Sequence, residues 1–140
     1  MNTTLTELNL GANSLGKGRG RALAEALRLN TTLTSLNLGS NGLGEGGGGA
    51  IADTLRVNTT LTSLDLRSNE LREGGGRVIA ETLRVNTTLK ELNLASNRLG
   101  EGGGRITLVL IPATHAARRG TARQTTLMSL ELGWHDLIGG

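Results

Sequence analysis

A block of 28 residues returns along most of this 140-residue chain. "NTTLTELNLGANSLGKGRGRALAEALRL" starts at Asn2, and "NTTLTSLNLGSNGLGEGGGGAIADTLRV" starts at Asn30. Further copies start at Asn58 and Asn86, and a fifth, "QTTLMSLELGWHDL", begins out of phase at Gln124. Near-identical units at one fixed period cannot each bury an apolar face alone. They must stack, and the stack shares one continuous core. That excludes an ordinary globular arrangement before any single residue is considered.

Each unit divides by its own pattern. In Leu33-x-x-Leu36-x-Leu38 the last two leucines alternate with polar residues, as in a short strand with one buried face. Asn41 and Leu43 follow in a turn. The glycine run Gly46 to Gly49 then reads as a tight passage from sheet to helix. The helix itself is expected from Ala50, where Ile51 and Leu55 lie four apart on one face. One strand and one helix per unit, joined by short loops, require parallel strands with right-handed crossovers. Helices are about 10 Å wide and strands about 4.8 Å apart, so the stack must bend with the sheet inside. Each unit is expected to bury about seven aliphatics. In the second these are Leu33, Leu36, Leu38, Leu43, Ile51, Leu55 and Val57.

The motif LxxLxLxxNxL stands in Leu5–Leu15, Leu33–Leu43, Leu61–Leu71 and Leu89–Leu99. Together with "ALAEAL" at Ala22–Leu27 and its counterparts "AIADTL" and "VIAETL", it resembles the leucine-rich repeat family. Among the classes of that family the long-repeat, ribonuclease-inhibitor-like one is the most similar. The expected fold is α/β, a curved, right-handed leucine-rich repeat solenoid with the parallel sheet inside and helices outside. Residues 1–104 hold four repeats, the last with an irregular helix. Residues 105–124 form an irregular basic insertion, and 125–140 a degenerate fifth strand. For function the resemblance implies a protein-binding scaffold that uses the inner sheet face.

Two motifs compete with that reading. Asn-Thr-Thr at Asn2, Asn30, Asn58 and Asn86 fits the glycosylation acceptor pattern. It recurs at each helix-to-strand junction, where an asparagine that accepts the left-handed conformation would end the helix, so a structural role is expected. Gly11 to Lys17 fits GxxxxGK between a strand and a helix, the layout of a phosphate loop. Gly18 stands where a hydroxyl must hold magnesium. The later repeats place Glu45, Glu73 and Glu101 where the lysine would be, carboxylates that repel phosphate and favour a helix N-terminus. No nucleotide, metal or other cofactor is expected.

Asn13, Asn41, Asn69 and Asn97 recur in the turn after each strand. The resemblance implies that they form a structural ladder, and a buried amide can satisfy turn backbone that lacks a sheet partner. Strand residues alternating with the core leucines point to the inner face. The candidate partner-binding set is Glu7, Asn9, Ser35, Asn37, Ser63, Asp65, Arg67, Glu91 and Asn93, with Asp65 and Arg67 at its centre. The set is polar, small and mildly acidic. On the outer face Glu25, Asp53 and Glu81 form one column and Arg28, Arg56 and Arg84 the next.

Catalysis finds no support. The chain has no cysteine, and both histidines, His115 and His135, fall in its irregular part. Without disulfides, a signal-like head or a membrane-length apolar run, a soluble cytoplasmic protein is expected. The net charge of +3 is local: residues 105–124 hold Arg105, Arg118, Arg119 and Arg123 and no acid. A basic face along the whole fold is missing, which weighs against nucleic acid as the partner. The expected function is a non-catalytic protein–protein interaction scaffold. The alternatives are a regulatory subunit of a GTPase-activator-like or innate-sensor-like protein, and a fragment of a longer array. Uncapped ends are expected to promote self-association.

Overall fold

The computed structural model describes residues 2–106 and 129–133. Strands and helices alternate: β1 (Glu7–Asn9), α1 (Gly16–Leu29), β2 (Ser35–Asn37), α2 (Gly44–Thr54), β3 (Ser63–Asp65), α3 (Arg72–Leu83), β4 (Glu91–Asn93) and β5 (Ser129–Glu131). Residues 101–106 are helical as well. The strands form one parallel sheet in chain order, β1-β2-β3-β4-β5. Register follows the repeat, so Leu8, Leu36, Leu64, Leu92 and Leu130 lie in one row. The fold is a curved α/β leucine-rich solenoid. The basic insertion Arg118, Arg119 and Arg123, both histidines and Trp134 lie outside the described residues.

The core fills the space between sheet and helices. Leu38, Leu43, Leu66, Leu71, Leu94, Leu99 and Ile51 are fully buried. Each such side chain contributes about 1.5–3 kcal/mol by leaving water. Val57 does not belong to this core: it is 54% exposed, as are its counterparts Leu29 (62%) and Val85 (50%). These residues follow the last inward helical position and lie at the surface.

The glycine run is helical, which corrects the reading of Gly46–Gly49 as a loop. α2 begins at Gly44 and α3 at Arg72. Glycine is a poor helix former, so packing must supply the reason. A Cβ on Gly20 would lie 2.9 Å from the Gly47 Cα, and one on Gly76 would lie 2.8 Å from the Gly102 Cα. Neighbouring helices meet backbone to backbone at these points. The missing side chains narrow the helix layer, which reduces the mismatch with the strand spacing.

The turns also differ from expectation. Positive φ falls at three alternating positions around each ladder asparagine: Ala12, Ser14 and Gly16; Ser40, Gly42 and Gly44; Ser68, Glu70 and Arg72; Ser96, Arg98 and Gly100. The sequon asparagines are not among them, and Asn30 is extended at φ −75 and ψ 134. Their side chains do the work instead. Asn30 Oδ1 accepts the N–H groups of Thr32 at 3.0 Å and Leu33 at 2.7 Å, and Asn2, Asn58 and Asn86 repeat the pattern. Asn58 is buried, and its Nδ2 donates to the Leu27 carbonyl at 3.0 Å. At Asn58 and Asn86 the amide nitrogen that glycosylation would modify is already engaged.

Candidate functional site

The turn asparagines link each repeat to the one before it. Asn69 Oδ1 accepts from the Asn41 N–H at 3.0 Å and the Leu43 N–H at 3.3 Å. Its Nδ2 donates to the carbonyls of Leu38, Leu66 and Arg67. Asn41 and Asn97 make the same set one repeat earlier and later. Among the described residues Asn13 keeps only its donor bonds to the Leu10 and Gly11 carbonyls. Among the described residues this ladder ties the turn of each repeat to that of its neighbour.

On the face turned away from the helices, the register builds two rows. Glu7, Ser35, Ser63, Glu91 and Ser129 lie side by side, as do Asn9, Asn37, Asp65, Asn93 and Glu131. Eight of the nine candidate residues stand in these rows, and the ninth, Arg67, follows Asp65 by two. The second row has a local duty that alternation alone does not reveal. The Oδ1 of Asn9, Asn37, Asp65 and Asn93 each accepts the N–H two residues on, at 2.8–3.1 Å. These side chains cap their strand ends, leaving the amide Nδ2 groups or second carboxylate oxygen for other contacts. Asn93 Nδ2 donates to Glu131 Oε2 at 3.1 Å.

Arg67 is the one long side chain in the centre of this face. Its Nε sits 3.3 Å from Asp65 Oδ2, and its stem lies over Gly39 of the previous repeat. A Cβ on Gly39 would come within 3.3 Å of Arg67 Cγ, so the small residue makes the bed for the guanidinium. Arg67 remains about half exposed. The face thus presents a salt-bridged arginine flanked by the exposed carboxylates of Glu7, Glu91 and Glu131.

The other candidates separate from it. Lys17 of the phosphate-loop decoy lies along the next repeat, where a Cβ on Gly44 would touch its Cε at 2.8 Å. The acids of the first helical turns serve the next helix: Glu73 Oε1 accepts the Glu101 N–H at 3.3 Å. On the outer face Arg56 bridges Asp53 at 2.7 Å and Glu81 at 3.3 Å. All three are exposed, and such pairs are worth little. Among the described residues no group of three metal-type ligands gathers, and no helix is long and apolar enough to cross a membrane.

A family model described as "Leucine Rich repeat" matches residues 2–24, 29–52, 57–80 and 85–105. The chain belongs to the leucine-rich repeat family. Among solved structures, this leucine-rich repeat protein is similar to one described as the actin-binding site 2 of leiomodin-1. The two share 27% identity at a TM-score of 0.78, over 94% of this chain and 72% of that one. The tropomodulin C-terminal domain of Caenorhabditis elegans shares the fold at 16% identity and a TM-score of 0.73, covering 94% of this chain and 75% of its own. A comparison with curated proteins gives no match.

Proposed function

We propose that this leucine-rich repeat chain is a non-catalytic scaffold that docks a protein partner on its inner sheet face, with Asp65 and Arg67 at the centre. The observation that carries this reading is the seat of Arg67. A half-exposed guanidinium is oriented by Asp65 and bedded on Gly39, while its neighbours on the face are short and polar. Arginine is among the residues that dominate binding energy when a partner desolvates it. The surrounding carboxylates of Glu7, Glu91 and Glu131 favour a partner surface of complementary basic character.

Actin is the first partner to test, because the leiomodin-1 structure similar to this chain is described as an actin-binding site. Purified filamentous and monomeric actin would be titrated with the parent chain and with an Asp65→Ala/Arg67→Ala variant. Binding by the parent that falls about tenfold or more in the variant supports the reading; such a factor corresponds to about 1.4 kcal/mol. Equal binding by both proteins removes the inner face from the interface.

A further inference from the structure

The ladder asparagines hold equivalent places, but the residues that follow them differ. Asn13 precedes Ser14, Asn69 precedes Glu70 and Asn97 precedes Arg98, whereas Asn41 precedes Gly42. This is the single Asn-Gly pair in the chain. The follower matters because its backbone nitrogen can attack the asparagine Cγ and close a five-membered imide ring. A side chain on the attacking residue crowds that closure. Glycine has none.

The fold keeps the two reacting residues in opposite surroundings. Gly42 is exposed, and a Cβ there would meet nothing within 4 Å. Asn41 is buried, and both polar atoms of its carboxamide are engaged. Its Oδ1 accepts the N–H groups of Asn13 at 2.8 Å and Leu15 at 3.4 Å. Its Nδ2 donates to the carbonyls of Leu10 at 2.9 Å, Leu38 at 3.0 Å and Gly39 at 3.2 Å. All these partners precede Asn41 in the chain, and none of the bonds goes to Gly42. The bonds also require a planar amide, with its donors and lone pairs in one plane. Attack makes Cγ tetrahedral, so ring closure must wait until this rung of the ladder lets go.

We propose that Asn41–Gly42 is a latent self-modification site, shut by the ladder and opened when the junction at Asn41 comes apart. In the opened turn the Gly42 nitrogen loses its proton to solvent base and bonds to Asn41 Cγ. The Cγ–Nδ2 bond breaks, and Nδ2 leaves as ammonia after taking up a proton. Water then opens the imide at either carbonyl. The products are aspartate at position 41 and its isomer, in which the main chain runs through the side-chain carbon. In sum, amide and water become carboxylic acid and ammonia. Neither product rebuilds the rung. A carboxylate has no N–H to give, so the carbonyls of Leu10, Leu38 and Gly39 would face a buried negative charge. The isomer lengthens the main chain inside a tight turn. A transient opening is thereby made permanent. Asn69 and Asn97 sit in the same bonds, but the side chains of Glu70 and Arg98 slow the closure there.

The test incubates the full chain at mildly alkaline pH, in native buffer and in guanidinium chloride, and follows intact mass and peptide maps. In denaturant the mass should rise by the difference between a hydroxyl and an amino group. Aspartate and isoaspartate should appear at position 41 well before positions 69 and 97. In native buffer the conversion should run at least about tenfold more slowly, because only the opened fraction reacts. Gly42→Glu copies Glu70, which holds the same positive φ one repeat on. In denaturant, where folding plays no part, it should slow position 41 to the pace of Asn69. Converted chain returned to native buffer should melt below the parent. Equal rates in the two buffers overturn the proposal, since the ladder would then guard nothing. So does conversion at Asn41 that is no faster than at Asn69 and Asn97, or that Gly42→Glu leaves unchanged. A converted chain that regains the parental melting temperature overturns it as well.

Discussion

The repeats are joined in two chemically different ways at their two sides. At the turns, buried asparagines bond across each junction, and every bond has a direction and a named partner. At the helices, glycines remove side chains so that backbones can touch, as Gly76 and Gly102 do. The first side needs one residue type and rejects others for their polarity. The second needs the absence of a side chain and rejects others for their size. A junction between stacked units can therefore be specified by hydrogen-bond chemistry or by shape alone, and this chain uses both at once.

The sharpest way to break the turn side is Asn69→Ala. The Asn41 and Leu43 N–H groups lose their acceptor inside a buried turn, each at about 1–3 kcal/mol. The carbonyls of Leu38, Leu66 and Arg67 lose one donor each and keep Asn41 Nδ2, Asn97 Nδ2 and the Ser40 N–H. We expect a net loss of about 3–5 kcal/mol in chemical denaturation. An effect below that of the exposed counterpart Asn13→Ala would show that the ladder does not hold the turns. Leu64→Ala tests the core both sides share. Leu64 is 1% exposed, and the cost should be about 2–5 kcal/mol. A variant melting like its parent would contradict the burial.

The helix side breaks more mildly. Gly76→Ala puts a Cβ 2.8 Å from the Gly102 Cα, and overpacking of this kind costs about 1–3 kcal/mol. Gly18→Ala, where nothing lies within 4 Å, should stabilise α1 by about 0.5–1 kcal/mol. The opposite signs are the point of the pair, and two shifts of the same sign would remove the shape argument. The smallest effect is expected at Glu70→Gly. Glu70 has φ 57 where the previous repeat has Gly42, so the substitution should gain at most about 1 kcal/mol, read as a small rise in melting temperature.

The turn side was open to inspection in the sequence, and the helix side was not. A fixed period places equal residues in equal rows, so the strand register and the recurrence of Asn13, Asn41, Asn69 and Asn97 needed no coordinates. Two-residue alternation likewise put Glu7, Asn9, Ser35, Asn37 and their counterparts on one face. The strand-end caps made by Asn9, Asn37, Asp65 and Asn93 stayed hidden, because a side chain's partner two residues away leaves no periodic trace. The helical glycines stayed hidden for a different reason. Local propensity puts Gly46–Gly49 in a loop, and only contact with neighbouring helices reverses that preference. Val57 shows the same limit: its apolar character suggested the core, yet its place at the end of the helix turns it outward.

The ladder bonds run from one repeat to the next, along the axis of the stack. Force applied to the two ends of the chain would thus load each junction in the direction of its bonds. The junctions would yield one after another as their bonds reach the load they can bear. Each release among the repeats starting at Asn2, Asn30 and Asn58 frees 28 residues, a gain in length of at most about 90–100 Å at 3.3–3.6 Å per residue. Under tension these repeats would lengthen the molecule in equal steps, one for every junction that lets go.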